Sequence, residues 1–149
     1  MESVRIPETG LPPESVIAEM KQYGKEDADW RHGKTWSLVY SLGDEHTQFL
    51  KEAHGVFFSE NALNPMAFKS LKRFESEVVR MSADMLHGDR HVVGAMTSGG
   101  TETCLLAVKT YRDWARSQKR GIRRPEMIVP ESIHVAFEKG AHYFDVKPV

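Results

Sequence analysis

The chain has 149 residues, 40% hydrophobic and 28% charged, which is enough apolar material for one globular unit and excludes a chain too polar to fold. Its 20 basic and 21 acidic residues nearly cancel, so no global charge directs it to nucleic acid or an anionic membrane; small molecules or protein are the expected partners. A single cysteine, Cys104, excludes an internal disulfide, residues 1–5 lack the pattern of a secretory leader, and no apolar run approaches the roughly 18 to 20 residues of a membrane span. A cytoplasmic setting without a transmembrane segment is therefore expected.

Pro7, Gly10, Pro12 and Pro13 predict an extended arm at the start. Val16, Ile17, Met20 and Tyr23 recur at helical spacing, so a short helix is predicted over 14–23, stopped by Gly24. The stretch 30–43 has no sustained period and reads as loop or irregular strand. Asp44 is placed to cap a helix whose face of Phe49, Leu50, Ala53, Val56 and Phe57 is expected to be buried. Asn64-Pro65 predicts the start of a long helix carrying the stripe Leu71, Phe74, Val78, Met81 and Met85, with Gly88 as its stop. On this reading residues 1–43 form arm, short helix and loop, and 44–149 hold helices and the first part of a larger domain.

After residue 91 the rhythm changes. Val92 to Thr97 is a short apolar run leading through glycines into a helix over about 101–118; Met127-Ile128-Val129 leads into a second helix over about 134–143; Asp145 to Val149 begins a third strand. The order β-α-β-α-β predicts an α/β fold with parallel pairing. Two strands and a fraction are few for a parallel sheet, so the domain reads as incomplete.

Two strand-to-helix junctions carry candidate chemistry. In Thr97-Ser98-Gly99-Gly100-Thr101-Glu102-Thr103, first-turn amides and the positive end of the helix dipole can bind an anion, with hydroxyls of Ser98, Thr101 and Thr103 as further donors. The segment matches neither the P-loop nor G-x-G-x-x-G, and a tight turn with a threonine cap explains it as well. His134, in Ser132-Ile133-His134-Val135-Ala136-Phe137, falls at the corresponding sheet edge, where it either serves an aromatic ligand by stacking and proton transfer or simply caps the helix. His87 and His91 flank Gly88 and Asp89, which favours a turn over a metal pair, and no metal site is predicted. Cys104, beside Leu105 and Leu106, reads as a packing residue.

Taken together, Tyr40, Asn61 to Pro65, Arg73 to Val79, Thr97 to Thr103 and Ser132 to Phe144 resemble the sphingosine-1-phosphate lyases, members of the pyridoxal-phosphate (PLP) dependent decarboxylase-like group. The resemblance runs from about Gly10 to the last residue. It implies an incomplete PLP-dependent transferase large domain of the aspartate-aminotransferase-like type. It further implies pyridoxal 5'-phosphate as cofactor, its phosphate held by Gly100 and Thr101 with support from Ser98, and His134 stacked on its ring as a catalytic and cofactor-binding residue. Tyr40 and Asn61 are implied in a substrate-phosphate site shared between the subunits of a homodimer. Where the eukaryotic members are expected to have histidine before the proline, this chain has Asn64, which carries no titrating proton.

The Schiff-base lysine and the aspartate paired with the pyridine nitrogen lie, in that family, downstream of the segment matching His134, and none of the ten lysines here has a matching context. The implied reaction of a complete enzyme is cleavage of a phosphorylated sphingoid base to a long-chain aldehyde and phosphoethanolamine, with the chain alone inactive and a separate C-terminal half as a possible partner. Two alternatives stand beside it: part of an amino-acid decarboxylase taking an amino-acid-like amine, or a non-catalytic dimerisation or binding module.

Overall fold

Proline sets the first boundary. Pro13 occupies the first position of helix α1 (Pro13–Tyr23), where an amide is not needed, and Gly24 closes it. The computed structural model describes residues 5–118 and 121–149, and these form two compact units divided between Ser59 and Glu60. No helix among the described residues is long and apolar enough to cross a membrane.

In the first unit, 3-10 turns at Gly24–Glu26 and Trp30–His32 follow α1. Asp29 organises the second of them: its carboxylate lies 2.7 Å from His32 Nδ1 and 3.2 Å from Lys34 Nζ, while Gly33 supplies the left-handed residue that ends the turn. Arg31 lies over the Trp30 ring and donates to Asp44, the first residue of helix α2 (Asp44–Val56). Asp44 is thus inside the helix with Gly43 before it, a correction to its expected capping role. The α2 face expected to be buried is also corrected: Phe49 is 62% and Leu50 52% exposed, because among the described residues no element of its own unit packs on it.

In the second unit the Asn64-Pro65 signal forms one turn and not a long helix. Asn64 Oδ1 accepts the Met66 amide at 3.0 Å and the Asn64 carbonyl accepts those of Ala67 and Phe68. Phe68 then leaves helical geometry (φ −115, ψ 69), and helix α3 starts after it (Lys69–Met85). Its end is a Schellman arrangement in which His87, not glycine, takes the left-handed conformation (φ 58). Gly88 donates to the Ala83 carbonyl at 2.7 Å; a Cβ there would sit 2.8 Å from Val92 Cγ2 and 3.1 Å from that carbonyl, so the stop signal reflects close approach.

The predicted first strand, residues 92–97, belongs to no sheet. It runs beside α3, with the Met96 amide donating to Glu75 Oε1 at 2.8 Å and Gly94 against Val79. A strand requires a ladder partner, and among the described residues none pairs with it. The observed sheet is one parallel pair, β1 (Glu126–Met127) and β2 (Lys147–Pro148), in the register Glu126 to Lys147 and Met127 to Pro148. Their side chains add a cross-strand ion pair, Lys147 Nζ to Glu126 Oε1 at 2.8 Å. The β-α-β half of the expected topology is therefore present, while the leading β-α step has a helix but no paired strand.

Helix α4 (Gly100–Gln118) packs on helix α5 (Val135–Phe144), and α5 on β2. The buried residues of this packing are Val108, Ala141 and Val146, flanked by half-buried Met127, Phe137 and Phe144. Small residues make the approach possible. Ala136, Gly140 and Ala141 form the buried face of α5, and a Cβ on Gly140 would already lie 3.2 Å from Val108 Cγ2 and 3.4 Å from Leu105 Cδ2. Arg112 fastens the far end, donating to the Phe144 carbonyl at 3.2 Å with its guanidinium over the Phe144 ring. A branched side chain has no room at this contact, so Gly140→Val is expected to destabilise the chain by about 1–3 kcal/mol, seen as a lower urea midpoint by circular dichroism; an unchanged midpoint would show that the helix contact contributes little.

Candidate active site

Contacts along the helix pair establish its direction. Leu105 and Val108 meet Gly140, and further on Arg112 meets Phe144, so residue numbers rise together and α4 and α5 run the same way. Their N-termini consequently lie at one end of the pair. The structure thereby brings Ser98, Gly100 and Thr101 to the same end of the second unit as His134.

The turn entering α4 is laced by its own side chains. Thr97 and Thr103 hydroxyls are 2.7 Å apart, and each lies within 3.2 Å of the Gly99 carbonyl. One rung further in, Glu102 Oε2 accepts both the amide and the hydroxyl of Ser98, each at 2.7 Å. The amides of Gly100 and Thr101 precede the first intrahelical bond, which Thr103 makes to Gly99 at 3.1 Å, and so have no helical acceptor. Neither Gly99 nor Gly100 takes a positive φ, and a Cβ on either would meet no atom within 4 Å. Backbone geometry and internal packing therefore do not explain glycine here; the pair leaves the first-turn backbone open from outside, the condition under which an anion can reach helix-start amides.

The hydrogen bonds from Ser98, the amide first and the hydroxyl second, hold the Glu102 carboxyl below its ordinary value of 4.5, against a small opposing effect of burial. The anion also sits in the first turn of α4, where the helix dipole favours it.

His134 is the N-cap of α5, its Nδ1 accepting the Ala136 amide at 3.1 Å. That bond assigns the acceptor role to Nδ1 and leaves Nε2 as the donor of the neutral ring. The helix-capping role weighed against catalysis is thus real, and it leaves Nε2 and the ring face to other partners.

The two residues implied in substrate-phosphate binding are set differently. Asn61, early in the second unit, accepts the Leu63 amide at 3.1 Å, so Oδ1 shapes its own turn. Tyr40 lies in the first unit, 95% exposed, just after two left-handed residues, Ser37 and Leu38. Glu102 and Thr97 are the participants that motif reading left without a role, and Thr103, expected as a further donor to an anion, has its hydroxyl on Thr97 and the Gly99 carbonyl; a glutamate at the third helical position was the available signal for Glu102.

No family model matches the chain. It is 42% identical over 144 residues to sphingosine-1-phosphate lyase 1 of Rattus norvegicus and 43% identical over 150 residues to the sphingosine-1-phosphate lyase of Arabidopsis thaliana, covering 97% and 95% of this chain but 25% and 27% of those proteins. A probable L-aspartate decarboxylase of Pyrococcus furiosus is 32% identical over 97% of the chain and 36% of its own length. Among solved structures, a sphingosine-1-phosphate lyase of Burkholderia pseudomallei superposes with a TM-score of 0.88 at 40% identity, over 99% of this chain and 35% of that one. Glutamate decarboxylase of Lactobacillus brevis superposes with a TM-score of 0.74 at 17% identity, a likeness of fold.

Fold and sequence together make the chain similar to a group of lyases and decarboxylases. Within that group it is a homologue of the sphingosine-1-phosphate lyases, matching them over nearly its whole length and about a quarter of the length of the curated ones.

Two outcomes test the local geometry. A carboxyl whose folded pKa is depressed stabilises the turn at every pH above its unfolded value and loses that effect as pH falls through the folded one. The Ser98 amide resonance is accordingly expected to be constant through neutral pH and to titrate below 4.5; movement near neutrality would show another group in control. At His134, Asn retains a capping oxygen and Ala does not. His134→Ala is expected to cost about 0.5–2 kcal/mol in denaturant unfolding and His134→Asn much less; equal losses would mean that the ring, not the cap, stabilises α5.

Proposed function

We propose that this chain contributes the phosphate cradle and ring-stacking histidine of a PLP-dependent carbon–carbon lyase, acting on a phosphorylated sphingoid base to release a long-chain aldehyde and phosphoethanolamine. The observation that carries this reading is the convergence of the open Gly99-Gly100 backbone and His134 at one end of the parallel α4–α5 pair, in a chain 40% identical to a solved lyase over 99% of its length.

The cradle suits a phosphate monoester. The amides of Gly100 and Thr101 and the Thr101 hydroxyl are short donors at a helix start, and nothing occupies the space outside the glycines. Bound there, PLP supplies an electron sink for the carbon–carbon cleavage. The His134 ring would stack on the cofactor, and the Ala136 amide donating to Nδ1 would fix the ring's orientation. Nε2 is the ring's remaining hydrogen-bond donor. Tyr40 and Asn61 would bind the substrate phosphate in a site shared by two subunits of a cytoplasmic homodimer. The covalent lysine is not assigned to any residue of this chain, and the chain alone is proposed to be inactive, its chemistry completed by a segment equivalent to the remainder of the relatives.

The similarity to a probable L-aspartate decarboxylase favours a second reading, in which the same cradle serves release of carbon dioxide from an amino acid. A chimera separates the two. With this chain replacing the matching segment of the Burkholderia lyase, long-chain aldehyde from a phosphorylated sphingoid base is the expected product. A folded, PLP-bound chimera that instead releases carbon dioxide from aspartate or glutamate would overturn the lyase assignment.

A further inference from the structure

We infer that Glu102 is a positioning residue of the phosphate cradle, and that Ser98 acts through Glu102 instead of binding the phosphate itself. The inference rests on reading residues 98–101 as the cofactor-phosphate site and concerns how that site is held.

A serine has two conventional donors, its amide and its hydroxyl. Both Ser98 donors end on the same oxygen, Glu102 Oε2, at 2.7 Å each, so Ser98 has none left for an anion while this clamp is closed. The neighbouring rung, Thr97 to Thr103, uses its hydroxyls on one another and on the Gly99 carbonyl. Two side-chain pairs thus cross the turn, 97 with 103 and 98 with 102, and neither pair uses the amides of the residues between them, Gly99, Gly100 and Thr101. A carboxylate next to a bound phosphate repels it, so the arrangement works against phosphate affinity unless the positioning of those donors outweighs the charge. Glutamine at 102 keeps an acceptor for Ser98 and removes the charge, which allows the two effects to be read separately.

The experiment follows the Gly100 and Thr101 amide resonances of the full chain during titration with pyridoxamine 5'-phosphate, which carries the cofactor's phosphate and ring without an aldehyde to react with lysine. Loss of the whole clamp in Glu102→Ala is expected to weaken binding about 3- to 10-fold, the range of one or two ordinary hydrogen bonds, and Ser98→Ala, which removes the hydroxyl arm and keeps the amide arm, is expected to weaken it less. The double variant is expected to bind no worse than Glu102→Ala alone, and Glu102→Gln at least as well as the parent. If Ser98 were a direct ligand, Glu102→Ala would release its donors and remove a repelling charge; tighter binding by that variant, or additive losses in the double variant, would overturn the inference. A merely structural Glu102 would alter the amide spectrum and unfolding midpoint without changing affinity, and that result also counts against it. If the parent's Gly100 and Thr101 amides fail to move at all, the cradle reading itself is what has failed, and the inference goes with it.

Discussion

The close approach of α4 and α5 at Gly140 is the constraint on which the site depends. A glycine at that point lets Val108 and Leu105 lie against the backbone of α5, and Arg112 repeats the attachment about one turn further on, at Phe144, the last residue of α5. Two fixed points along a pair of helices determine both their direction and their offset. Because the direction is parallel, two helix starts face the same region, and each brings a feature that is ordinary when met alone: a glycine-rich first turn and a histidine cap. Hydrophobic burial at this contact is modest, with Val108, Ala141 and Val146 as its centre, so the geometry is maintained as much by small residues as by apolar area.

Much of this was legible in the sequence, for physical reasons that differ from element to element. Helices α1, α4 and α5 were readable because their boundaries are written in local chemistry: proline at the start of α1, glycines before α4, the Ser-Ile-His junction before α5. The errors came where a local signal needs a distant partner to be realised. Residues 92–97 have strand composition, yet a strand is a property of a pair, and the Met96 amide goes to Glu75. The apolar stripe on α2 shows periodicity but cannot say what covers it. Asn64-Pro65 capped a turn, as its chemistry requires, but Phe68 decided that the helix would not continue from it.

At the candidate site the motif was legible and its internal wiring was not. Glycines, hydroxyls and a histidine at strand-to-helix junctions can be listed from the sequence, but the distinction between a donor that faces outward and one already spent depends on side-chain rotation. Glu102 turns back over Ser98, so one member of the motif is occupied by another. His134 likewise proved to have two aspects, since Nδ1 belongs to the helix and the rest of the ring does not. Gly140 was missed for a different reason: within a run of Phe137, Ala141, Tyr143 and Phe144 it interrupts helical propensity, and only the helix facing it explains its presence.

Pro148 gives the small sheet a direction of growth. Lys147 donates to Pro125 and Val149 to Met127, so the alternate residues of β2 spend their amides on β1, and the backbone of residue 148 faces the other way. Proline there has no amide, which leaves the outer rim of β2 one donor short for any strand arriving on that side. The outer rim of β1 has no such gap at Glu126 or Ile128. Strand addition is thus disfavoured on one flank and open on the other, and a larger parallel sheet built on this pair would keep β2 as its border.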